Sequence, residues 1–481
     1  MTKRAITLAI LTAMLASLAA CGGEAGSVDT TAAAGEGDTT TAAPVIEFEP
    51  ADADYKGEKF IIAENDVGDW MQSAFVEEQN GEVLNDSIHE RNRIVEDLYN
   101  VDIVGYKIEG NRNGQDLSSI KNIILAGDDE FDVAYIPGQL TSKIFTEPDF
   151  VVPLSDIDTM DLSHSWWAQN SVEAMTFKGK TLSATGDMIV TTTGSTTITF
   201  FNKKLAEQFK IDVYDVARQG KFTFDYAYET GKKAQADLDG DTKVDVHKDR
   251  FGFCTEALNI MQFVNQGGES LIKKDADGVP SCSLDTPGAM EIVQRYMQVI
   301  DDTTTVIAVQ DERIKEGGPA GVFKRDGMFF WITNLQRMNS ARGFECEFGM
   351  IPFPKWEESE EYTAPLSGFW DSWLMVPATN TELDKAGHVC DALGYYSQQL
   401  VTPAFVEVSV TTKALRDDES AEMLAMVLNN KTCDAGMYFD WGYWMLYRMV
   451  QSHNPNLASE LASNIETINE SIDSFVKALD D

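Results

Sequence analysis

The chain has 481 residues, 43% of them apolar, and its 78 acidic and 38 basic residues give a formal net charge of -40. This length and apolar fraction suffice for two or three domains with buried cores. Because nucleic-acid binding depends on clustered lysine and arginine, so large an acidic excess excludes nucleic acid as a partner and indicates a solvated acidic surface.

The N-terminal segment has the charge and hydropathy order of a secretory signal peptide. Lys3 and Arg4 precede the uncharged, mostly apolar run Ala5–Ala20, which is shorter than the about 20 residues that a membrane-spanning helix needs. The stretch LAAC that ends at Cys21 resembles the lipobox of bacterial lipoproteins, and this resemblance implies an acylated cysteine at the mature N-terminus. We therefore expect residues 1–20 to be a signal peptide and Cys21 to be the lipidation site. The alternative is a buried N-terminal helix.

Residues 21–54 are predicted to be a flexible linker that follows the lipid anchor. The segment is rich in alanine, threonine and glycine, and it contains acidic residues but no lysine or arginine. Such a composition cannot bury enough apolar surface to fold, and its charges repel one another. The sequence therefore predicts an extracytoplasmic globular body that starts near Tyr55 and is anchored to the bacterial cell membrane through Cys21.

Beyond the linker, short apolar strands alternate with amphipathic helices. In chain order the predicted elements are strand 59–63, helix 87–99, strand 101–106, helix 117–126, strand 131–136, strand 197–202, helices 203–209 and 224–236, strand 251–254, helix 289–300, strands 328–333, 349–354 and 372–376, and a final helix at 464–479. Gly127 is a stop signal for the helix before it. Alternating strands and helices predict an α/β fold with parallel sheets.

Several stretches, in this order, resemble extracellular solute-binding proteins of ABC importers, the group that includes maltose-binding protein. They are GEVLNDSIHERNRIVEDLYNVDI (81–103), FDVAYIPG (131–138), FKGKTLSATGDM (177–188), TITFFNKKLAE (197–207), FKRDGMFFWITNLQRM (323–338) and GMIPFPK (349–355). Each stretch alone is weakly specific, but the order is characteristic, and the resemblance covers nearly all of the chain after Tyr55.

The resemblance implies a periplasmic-binding-protein type of α/β fold, in which two α/β lobes enclose a central cleft and move about a hinge. We expect the N-terminal lobe to contain residues 55–190 plus 322–366, and the C-terminal lobe residues 191–321 plus 367–481. Open α/β sheets place their sites at the carboxyl ends of the strands, so these ends should face the cleft.

Four tryptophans are candidates for the cleft. An indole ring can cover the apolar face of a sugar while carboxylates and amides bind its hydroxyl groups. By their positions on the return strand, near the last crossover and in the DWGYW stretch, the candidates are Trp331, Trp370, Trp373 and Trp441. The alternative for each is a place in the hydrophobic core.

Polar candidates come from their positions at strand ends and crossovers. FVNQGGE (263–269) also resembles a ligand-facing QNGG loop of the family. The predicted polar ligand-binding residues are Asn65, Asp66, Gln139, Thr192, Asn265, Gln266, Asn334 and Asp371. The alternative for each is a capped turn or a solvated loop.

A second candidate site is an acidic loop with carboxylates at alternate positions. Its predicted ligands are Asp237, Asp239, Asp241, Lys243 through its carbonyl, Asp245 and Asp249. Calcium takes six to eight oxygen ligands from such loops. The loop resembles an EF-hand loop but has Thr242 at the sixth position and Lys248 at the twelfth, where glycine and glutamate are usual. It predicts a structural calcium site, and the alternative is an acidic surface turn.

The preferred interpretation is a monomeric binding protein that captures a sugar or oligosaccharide and delivers it to the transmembrane subunits of an ABC permease. No cofactor is expected for this activity, and no motif of an enzyme is present. The first alternative is a surface-anchored glycoside hydrolase, which needs two carboxylates across a cleft. The second is a binding protein for a peptide or an anionic solute, for which Arg337 and Arg342 are candidate partners.

Overall fold

The computed structural model describes residues 48–66, 75–111, 117–308, 318–341, 343–410, 418–428 and 430–480. The predicted signal peptide, Cys21, most of the predicted linker and Arg342 lie outside the described residues. The strands are β1 (Glu58–Asp66), β2 (Val101–Asn111), β3 (Val133–Pro137), β4 (Thr176–Phe177), β5 (Lys180–Thr181), β6 (Thr197–Asn202), β7 (Phe251–Thr255), β8 (Ile272–Lys274), β9 (Pro280–Cys282), β10 (Val306–Ala308), β11 (Met328–Asn334), β12 (Phe348–Pro352), β13 (Ala364–Pro365), β14 (Ser372–Met375) and β15 (Lys431–Thr432).

The helices surround these strands. They are α1 (Val83–Tyr99), α2 (Ser118–Ala126), α3 (Gln169–Ala174), α4 (Val190–Gly194), α5 (Lys203–Phe209), α6 (Val213–Arg218), α7 (Phe224–Ala234), α8 (Asn259–Gln266), α9 (Pro287–Ile300), α10 (Gly318–Phe323), α11 (Met338–Ala341), α12 (Leu383–Tyr396), α13 (Thr402–Val410), α14 (Asp418–Val427), α15 (Ala435–Tyr438), α16 (Tyr443–Gln451) and α17 (Leu457–Asp480). A π-helical turn, Ser397–Val401, joins α12 to α13 without a break. The α/β alternation predicted from the sequence is therefore confirmed.

The first lobe is built on a four-stranded sheet with the order β14-β3-β1-β2. Strands β2 and β3 both run parallel to β1, and β14 is an antiparallel edge strand on β3. All residues of β3 are buried, as expected for a strand of a parallel sheet that is covered on both faces. Gly127 caps α2 with φ 76, a left-handed conformation that favours glycine.

The second lobe is built on a five-stranded sheet with the order β10-β7-β11-β6-β12. Strands β10 and β11 run parallel to β7, and β6 lies antiparallel between β11 and β12. Strands β6 and β11 are fully buried along their length. Helix α17 packs over this lobe, with Ile468, Ile472, Phe475 and Leu479 buried as the sequence periodicity predicts.

The strand pairing corrects the predicted division between the lobes. Residues 322–366 were assigned to the N-terminal lobe, but β11 and β12 lie within them and are bonded to β6 in the second sheet. Strand β14 was assigned to the C-terminal lobe, but it is bonded to β3 in the first sheet. Strands that are buried on both faces carry no alternating pattern, so their sequences do not indicate which sheet they join.

The chain crosses between the lobes several times. The first crossover leads through α4 into β6, and the second leads from β12 to β14. Helix α8 fastens both, because the Gln262 Nε2 group donates to the Thr197 hydroxyl at 2.8 Å and to the Leu366 carbonyl at 3.0 Å. Near the second crossover, β13 pairs with β15, which belongs to a later crossing. The candidate site lies where these crossovers meet the strand ends.

Candidate ligand-binding cleft

The carboxyl ends of the parallel strands place polar side chains from both lobes along the crossovers. In the first lobe, Gly138 and Gln139 follow β3, and β14 starts opposite Pro137. In the second lobe, β11 ends at Asn334, which is paired with the first residue of β6, Thr197. Such strand ends at a change of strand order are the usual ligand sites of open α/β sheets.

Asp371 is the central carboxylate on the side of the first lobe. It is fully buried, and its Oδ2 atom accepts hydrogen bonds from the Tyr438 hydroxyl at 2.5 Å and from the Trp373 Nε1 group at 3.3 Å. Burial and the neighbouring Asp371 carboxylate raise the pKa of Tyr438 well above its ordinary value. A Cβ atom on Gly138 would lie 2.1 Å from Asp371 Oδ1, so only glycine fits after β3. The predicted site residue Asp371 is therefore held firmly where β3 ends.

Glu256 and Arg337 form the charged part of the second lobe's side. Glu256 comes directly after β7, two positions beyond Cys254, which pairs with Trp331 of β11. Arg337 lies in the 3-10 turn that follows β11. Burial raises the pKa of Glu256, and the positive charge of Arg337 partly offsets this shift. Within the described residues, no hydrogen bond reaches the Glu256 carboxylate.

Tyr443 on α16 is close enough to both carboxylates for their charges to act on its hydroxyl group. It is 2% exposed, and burial together with the charges of Asp371 and Glu256 raises its pKa well above the ordinary value. Tyr447, one helical turn later, also faces Glu256. The two phenol groups of α16 therefore lie within the electrostatic influence of acidic side chains, Tyr447 of Glu256 and Tyr443 of both Glu256 and Asp371.

Several polar atoms in this region are buried and have no hydrogen-bond partner among the described residues. They are Thr191 Oγ1, Thr196 Oγ1, Thr333 Oγ1, Asn334 Oδ1, both side-chain polar atoms of Gln336, and the Tyr443 hydroxyl oxygen. We call these residues the polar cluster. An unsatisfied buried polar group costs about 1–3 kcal/mol. Thr196, Asn334 and Gln336 adjoin one another at the neighbouring ends of β6 and β11. Unsatisfied groups that adjoin one another are typical of a site that binds a polar guest rather than of a packed core.

Three of the predicted tryptophans lie in the core and not in the cleft. Trp331 packs against Phe200 and Phe323 with ring centroids 5.8 and 5.6 Å apart. Trp441 is fully buried in a cluster of aromatic rings and donates to the Ser471 hydroxyl. Trp373 is also fully buried and supports Asp371. The structure thus places these three side chains in the hydrophobic core, the alternative given for each, because position along the chain does not reveal which face of a strand carries a side chain.

Trp370 is the predicted tryptophan that stays half-buried. Its ring contacts Phe369 edge-on at 4.8 Å, and its backbone nitrogen donates to the Ser367 hydroxyl at 2.8 Å. It lies directly before Asp371 on the second crossover. Trp370 can therefore offer an aromatic face beside the buried carboxylate.

Two of the predicted polar residues, Thr192 and Gln266, form hydrogen bonds that hold segments of the crossovers together. The Thr192 hydroxyl is bonded to the Thr185 hydroxyl and lies 3.4 Å from the Ser372 carbonyl oxygen. Gln266 donates to the Glu361 carbonyl at 3.0 Å and accepts from the Thr363 hydroxyl at 2.6 Å. Both side chains fasten one segment of the chain to another, so the prediction that they contact ligand is not supported by their geometry.

The remaining polar candidates differ in their burial and in their hydrogen-bond partners. Gln139 is half-buried after β3, and Asn334 belongs to the polar cluster. Asn265 donates to Asp434 Oδ2 at 3.4 Å, while its Oδ1 atom has no partner in the part of the chain described. Asn65 and Asp66 end β1, but their side chains lie outside the described residues.

Sequence reasoning missed Glu256, Gln336 and Tyr443. Glu256 could have been found, because it directly follows an apolar strand, the same argument that selected Asn334. Tyr443 lies on helix α16, which packs against α8 and α17, and its place in the sequence does not reveal this packing.

The acidic loop brings together part of the predicted calcium site. Carboxylate oxygens of Asp237, Asp239 and Asp249 lie within 4.8 Å of one another. Asp249 is buried and accepts from the Leu238 and Asp245 backbone nitrogens. The Lys248 ammonium group lies 3.1 Å from Asp239 Oδ2 and lowers the pKa of Asp239.

The other three predicted ligands have local roles in this loop. Asp241 accepts from the Lys243 backbone nitrogen at 2.8 Å, and Asp245 accepts from the His247 backbone nitrogen. The carboxylates suit a hard cation, but Lys248 supplies positive charge of its own. Calcium binding therefore stays a prediction.

Comparison with solved structures identifies the architecture. An ABC substrate-binding protein from Listeria monocytogenes in complex with cycloalternan matches with a TM-score of 0.52 and 12% identity, over 88% of this chain and 99% of that chain. The cyclic alpha-maltosyl-1,6-maltose binding protein from Arthrobacter globiformis matches with a TM-score of 0.53 and 14% identity, over 88% and 98%. This chain has the periplasmic-binding-protein fold.

A third structure with this binding-protein fold is the GacH receptor of Streptomyces glaucescens, solved unliganded and with acarbose. It matches with a TM-score of 0.52 and 13% identity, over 88% of this chain and 99% of that chain. No protein-family model and no curated protein sequence matches the chain. Across the described ranges, none of the helices is at once apolar and long enough to pass through a bilayer.

Proposed function

We propose that the protein is an extracytoplasmic solute-binding lipoprotein that captures a sugar or oligosaccharide between its lobes and delivers it to an ABC permease. The observation that carries this proposal is the polar cluster, whose hydroxyl and amide atoms lie buried at the junction of the crossovers with no partner among the described residues. A sugar presents many hydroxyl groups that both donate and accept, so it can satisfy such atoms without carrying charge.

Two further features support a sugar rather than a peptide. The half-buried ring of Trp370 can cover the apolar face of a pyranose. Threonine, asparagine, glutamine and tyrosine make up the whole polar cluster, and Glu256, whose charge acts on Tyr443 of this cluster, adds a carboxylate acceptor. The three structural neighbours described above are named for binding, or were solved with, carbohydrates or acarbose.

The hydrogen bonds that Asp371 already accepts favour sugar binding over glycoside hydrolysis. Hydrolysis needs a carboxylic acid and a second carboxylate that flank the scissile bond. Asp371 Oδ2 is already engaged by Tyr438 and Trp373. Capture and release by lobe closure requires no such pair.

The location follows from the N-terminal sequence. Residues 1–20 act as a signal peptide, acylation of Cys21 anchors the mature protein, and the acidic linker keeps the lobes off the bilayer surface. The partners are then a carbohydrate ligand and the transmembrane subunits of a permease.

The proposal is tested by a binding screen with maltotriose, maltotetraose, cycloalternan, acarbose and ribitol, alongside a tripeptide and glucuronate. We expect at least one neutral glycan to stabilise the protein by about 2.7 kcal/mol at a hundredfold excess over its dissociation constant. Calorimetry then gives the affinity, and chromatography of the recovered glycan checks that it is intact. A cleaved glycan, or stabilisation by the peptide or glucuronate alone, would contradict the proposal.

The variant Glu256→Gln identifies the cleft as the binding site. Because a hydrogen bond to a charged acceptor contributes about 1.5–3 kcal/mol, affinity for the glycan should fall at least about tenfold. The matched control is Glu229→Gln, which removes an exposed carboxylate paired with Lys232 on the second lobe. This control should bind like the unmodified protein.

A further inference from the structure

Glu256 differs from three other carboxylates of the interior in its hydrogen bonds. The carboxylates of Asp187, Asp391 and Asp434 each accept two or more hydrogen bonds from side chains or backbone nitrogens. In the part of the chain that the structure describes, no donor reaches the carboxylate of Glu256, which is half-buried. A carboxylate that is partly withdrawn from water needs donors in place of the water it has lost. The Glu256 carboxylate can therefore accept hydrogen bonds from a ligand.

The strand register places Glu256 at the same sheet edge as part of the polar cluster. Strands β7 and β11 run parallel, and Cys254 of β7 pairs with Trp331 of β11. Glu256 and Thr333 each lie two positions beyond that pair, so both stand where the second sheet ends. Thr333 and the next residue, Asn334, are members of the polar cluster. The carboxylate and these buried polar atoms can therefore bind one ligand together.

The polar groups at this edge include more acceptors than donors. Asn334 Oδ1 and Gln336 Oε1 can only accept hydrogen bonds, and Gln336 Nε2 can only donate them. The hydroxyl groups of the threonines and of Tyr443 can do either. Two amide oxygens and the Glu256 carboxylate thus stand against one amide nitrogen. A ligand that satisfies these groups must offer more donors than acceptors.

The charges near Tyr443 favour a positively charged ligand. Three carboxylates act on the hydroxyl group of this tyrosine, those of Asp371, Glu256 and Asp440. Two guanidinium groups oppose them, that of Arg337 at Glu256 and that of Arg448 at Asp440. Three negative charges therefore face two positive ones. A cation is stabilised in such a place, and an anion is repelled.

A primary ammonium group has both of these properties. It donates three hydrogen bonds, accepts none and carries one positive charge. The sugar hydroxyl group that it replaces donates one hydrogen bond and is neutral, and an acetamido group likewise donates one and is neutral. Amino sugars carry this ammonium group on a pyranose ring, next to hydroxyl groups that suit the rest of the polar cluster.

We propose that the ligand is an amino sugar, and that Glu256, Asn334 Oδ1 and Gln336 Oε1 bind its ammonium group. The inference rests on the proposed function and deepens it, because it names the class of sugar. Neutral glycans are then weaker ligands of the same cleft, and glycans that carry a carboxylate are rejected.

Matched pairs of sugars test this inference by calorimetric titration of the full-length protein. The pairs are glucosamine with glucose, galactosamine with galactose, and chitotriose with cellotriose, and the members of each pair differ only in an amino or a hydroxyl group. Triacetylated chitotriose is the neutral control. The titrations are made at about pH 6.5, where these amines are charged. Sodium chloride at about 0.5 M screens contacts with the exposed acidic surface, because its screening length is about 4 Å.

We expect at least one amino sugar to bind with a stoichiometry of one, at least about tenfold more tightly than its hydroxyl partner. The reason is that a hydrogen bond between two charged groups is stronger than one to a neutral group. Triacetylated chitotriose should bind no more tightly than cellotriose. This comparison uses the unmodified protein, so it does not depend on the folding of any variant.

The variant Glu256→Gln assigns the preference to this carboxylate. The ratio of the two affinities within the preferred pair should fall to about one, because glutamine keeps the shape of the side chain but not its charge. The matched control is Glu229→Gln, which removes an exposed carboxylate paired with Lys232 and should keep the full preference.

The possible failures are distinguishable. If neutral glycans bind and no amino sugar binds more tightly than its partner, this inference is overturned while the proposed function stands. A preference that persists in Glu256→Gln, or binding of several amino sugars per protein, would also overturn it. If no sugar of any kind binds, the proposed function fails together with the inference.

Discussion

Tyr443 shows how a single residue can carry a functional signal that its surroundings in the sequence do not reveal. It belongs to an amphipathic helix, yet its hydroxyl group is buried, is influenced by the charges of Asp371 and Glu256, and has no hydrogen-bond partner among the described residues. A tyrosine in a packed core usually bonds its hydroxyl group to a neighbour. The free-energy cost of burying the Tyr443 hydroxyl group without a partner is offset only if a bound ligand supplies the hydrogen bond.

The variant Tyr443→Phe tests this role. Because no hydrogen bond within the described structure is lost, the free energy of unfolding should stay within about 1 kcal/mol, whereas the affinity for the glycan should fall about tenfold. Calorimetric titration and urea unfolding measure the two quantities. The control is Tyr228→Phe, whose hydroxyl group donates to Asp302 at 3.0 Å on the second lobe. If Tyr443→Phe lost stability and kept its affinity, the residue would be structural.

Asp434 is a buried residue whose environment makes stability depend on pH. Its carboxylate accepts from the Leu271 and Gly436 backbone nitrogens at 2.7 and 2.8 Å. Burial nevertheless raises its pKa from 3.8 to about 6. The folded state therefore holds this proton at pH values where the unfolded state has released it.

We expect the stabilising effect of protonated Asp434 to be complete below about pH 4 and to be lost as the pH rises to about 6. A raised pKa in the folded state has this sign, and a shift of about two units corresponds to about 3 kcal/mol. The free energy of unfolding of the unmodified protein minus that of Asp434→Asn should fall by up to this amount between pH 4 and 6 and then stay constant. Urea unfolding at four pH values measures the difference. A difference that does not vary with pH would show that Asp434 titrates normally.

At the scale of single elements, the sequence predicts whether a helix or a strand forms better than it predicts which sheet that element joins. The apolar run of β3 and the amphipathic pattern of α17 are found at the predicted positions. The predicted division placed β11 and β12 in the N-terminal lobe and β14 in the C-terminal lobe, whereas β11 and β12 join the second sheet and β14 joins the first. Strands buried on both faces look alike in sequence, so the pattern does not show which sheet they join. The π turn between α12 and α13 has no signature in the sequence.

The acidic loop is the element whose function the sequence predicts most directly. We expect calcium at millimolar concentration to raise the melting temperature, because it would relieve repulsion among Asp237, Asp239 and Asp249. The variant Lys248→Glu supplies the carboxylate that an EF-hand loop has at its twelfth position and should enlarge the shift. Scanning calorimetry with calcium and with a chelator measures it. Equal melting temperatures in both solutions, for the protein and for Lys248→Glu, would leave the loop an acidic surface turn.

At the scale of the whole molecule, the order of weakly specific stretches predicts the two-lobed fold, which the solved structures confirm. The residues of the candidate cleft are harder to predict from the sequence than the fold is. Asp371, Asn334 and Trp370 could be predicted as candidates because strand ends and crossovers can be located along the chain. Glu256, Gln336 and Tyr443 require knowledge of which side chains two lobes bring together.

The position of β14 also constrains the order in which the protein can form. Pro137 of β3 is bonded to Ser372, so the outer edge of β3 finds its partner only after most of the chain has been synthesised. Pairings between distant residues are slow to form. A nascent polypeptide that ends before β14 has an incomplete first sheet, so the first lobe cannot complete its fold until most of the chain has left the ribosome.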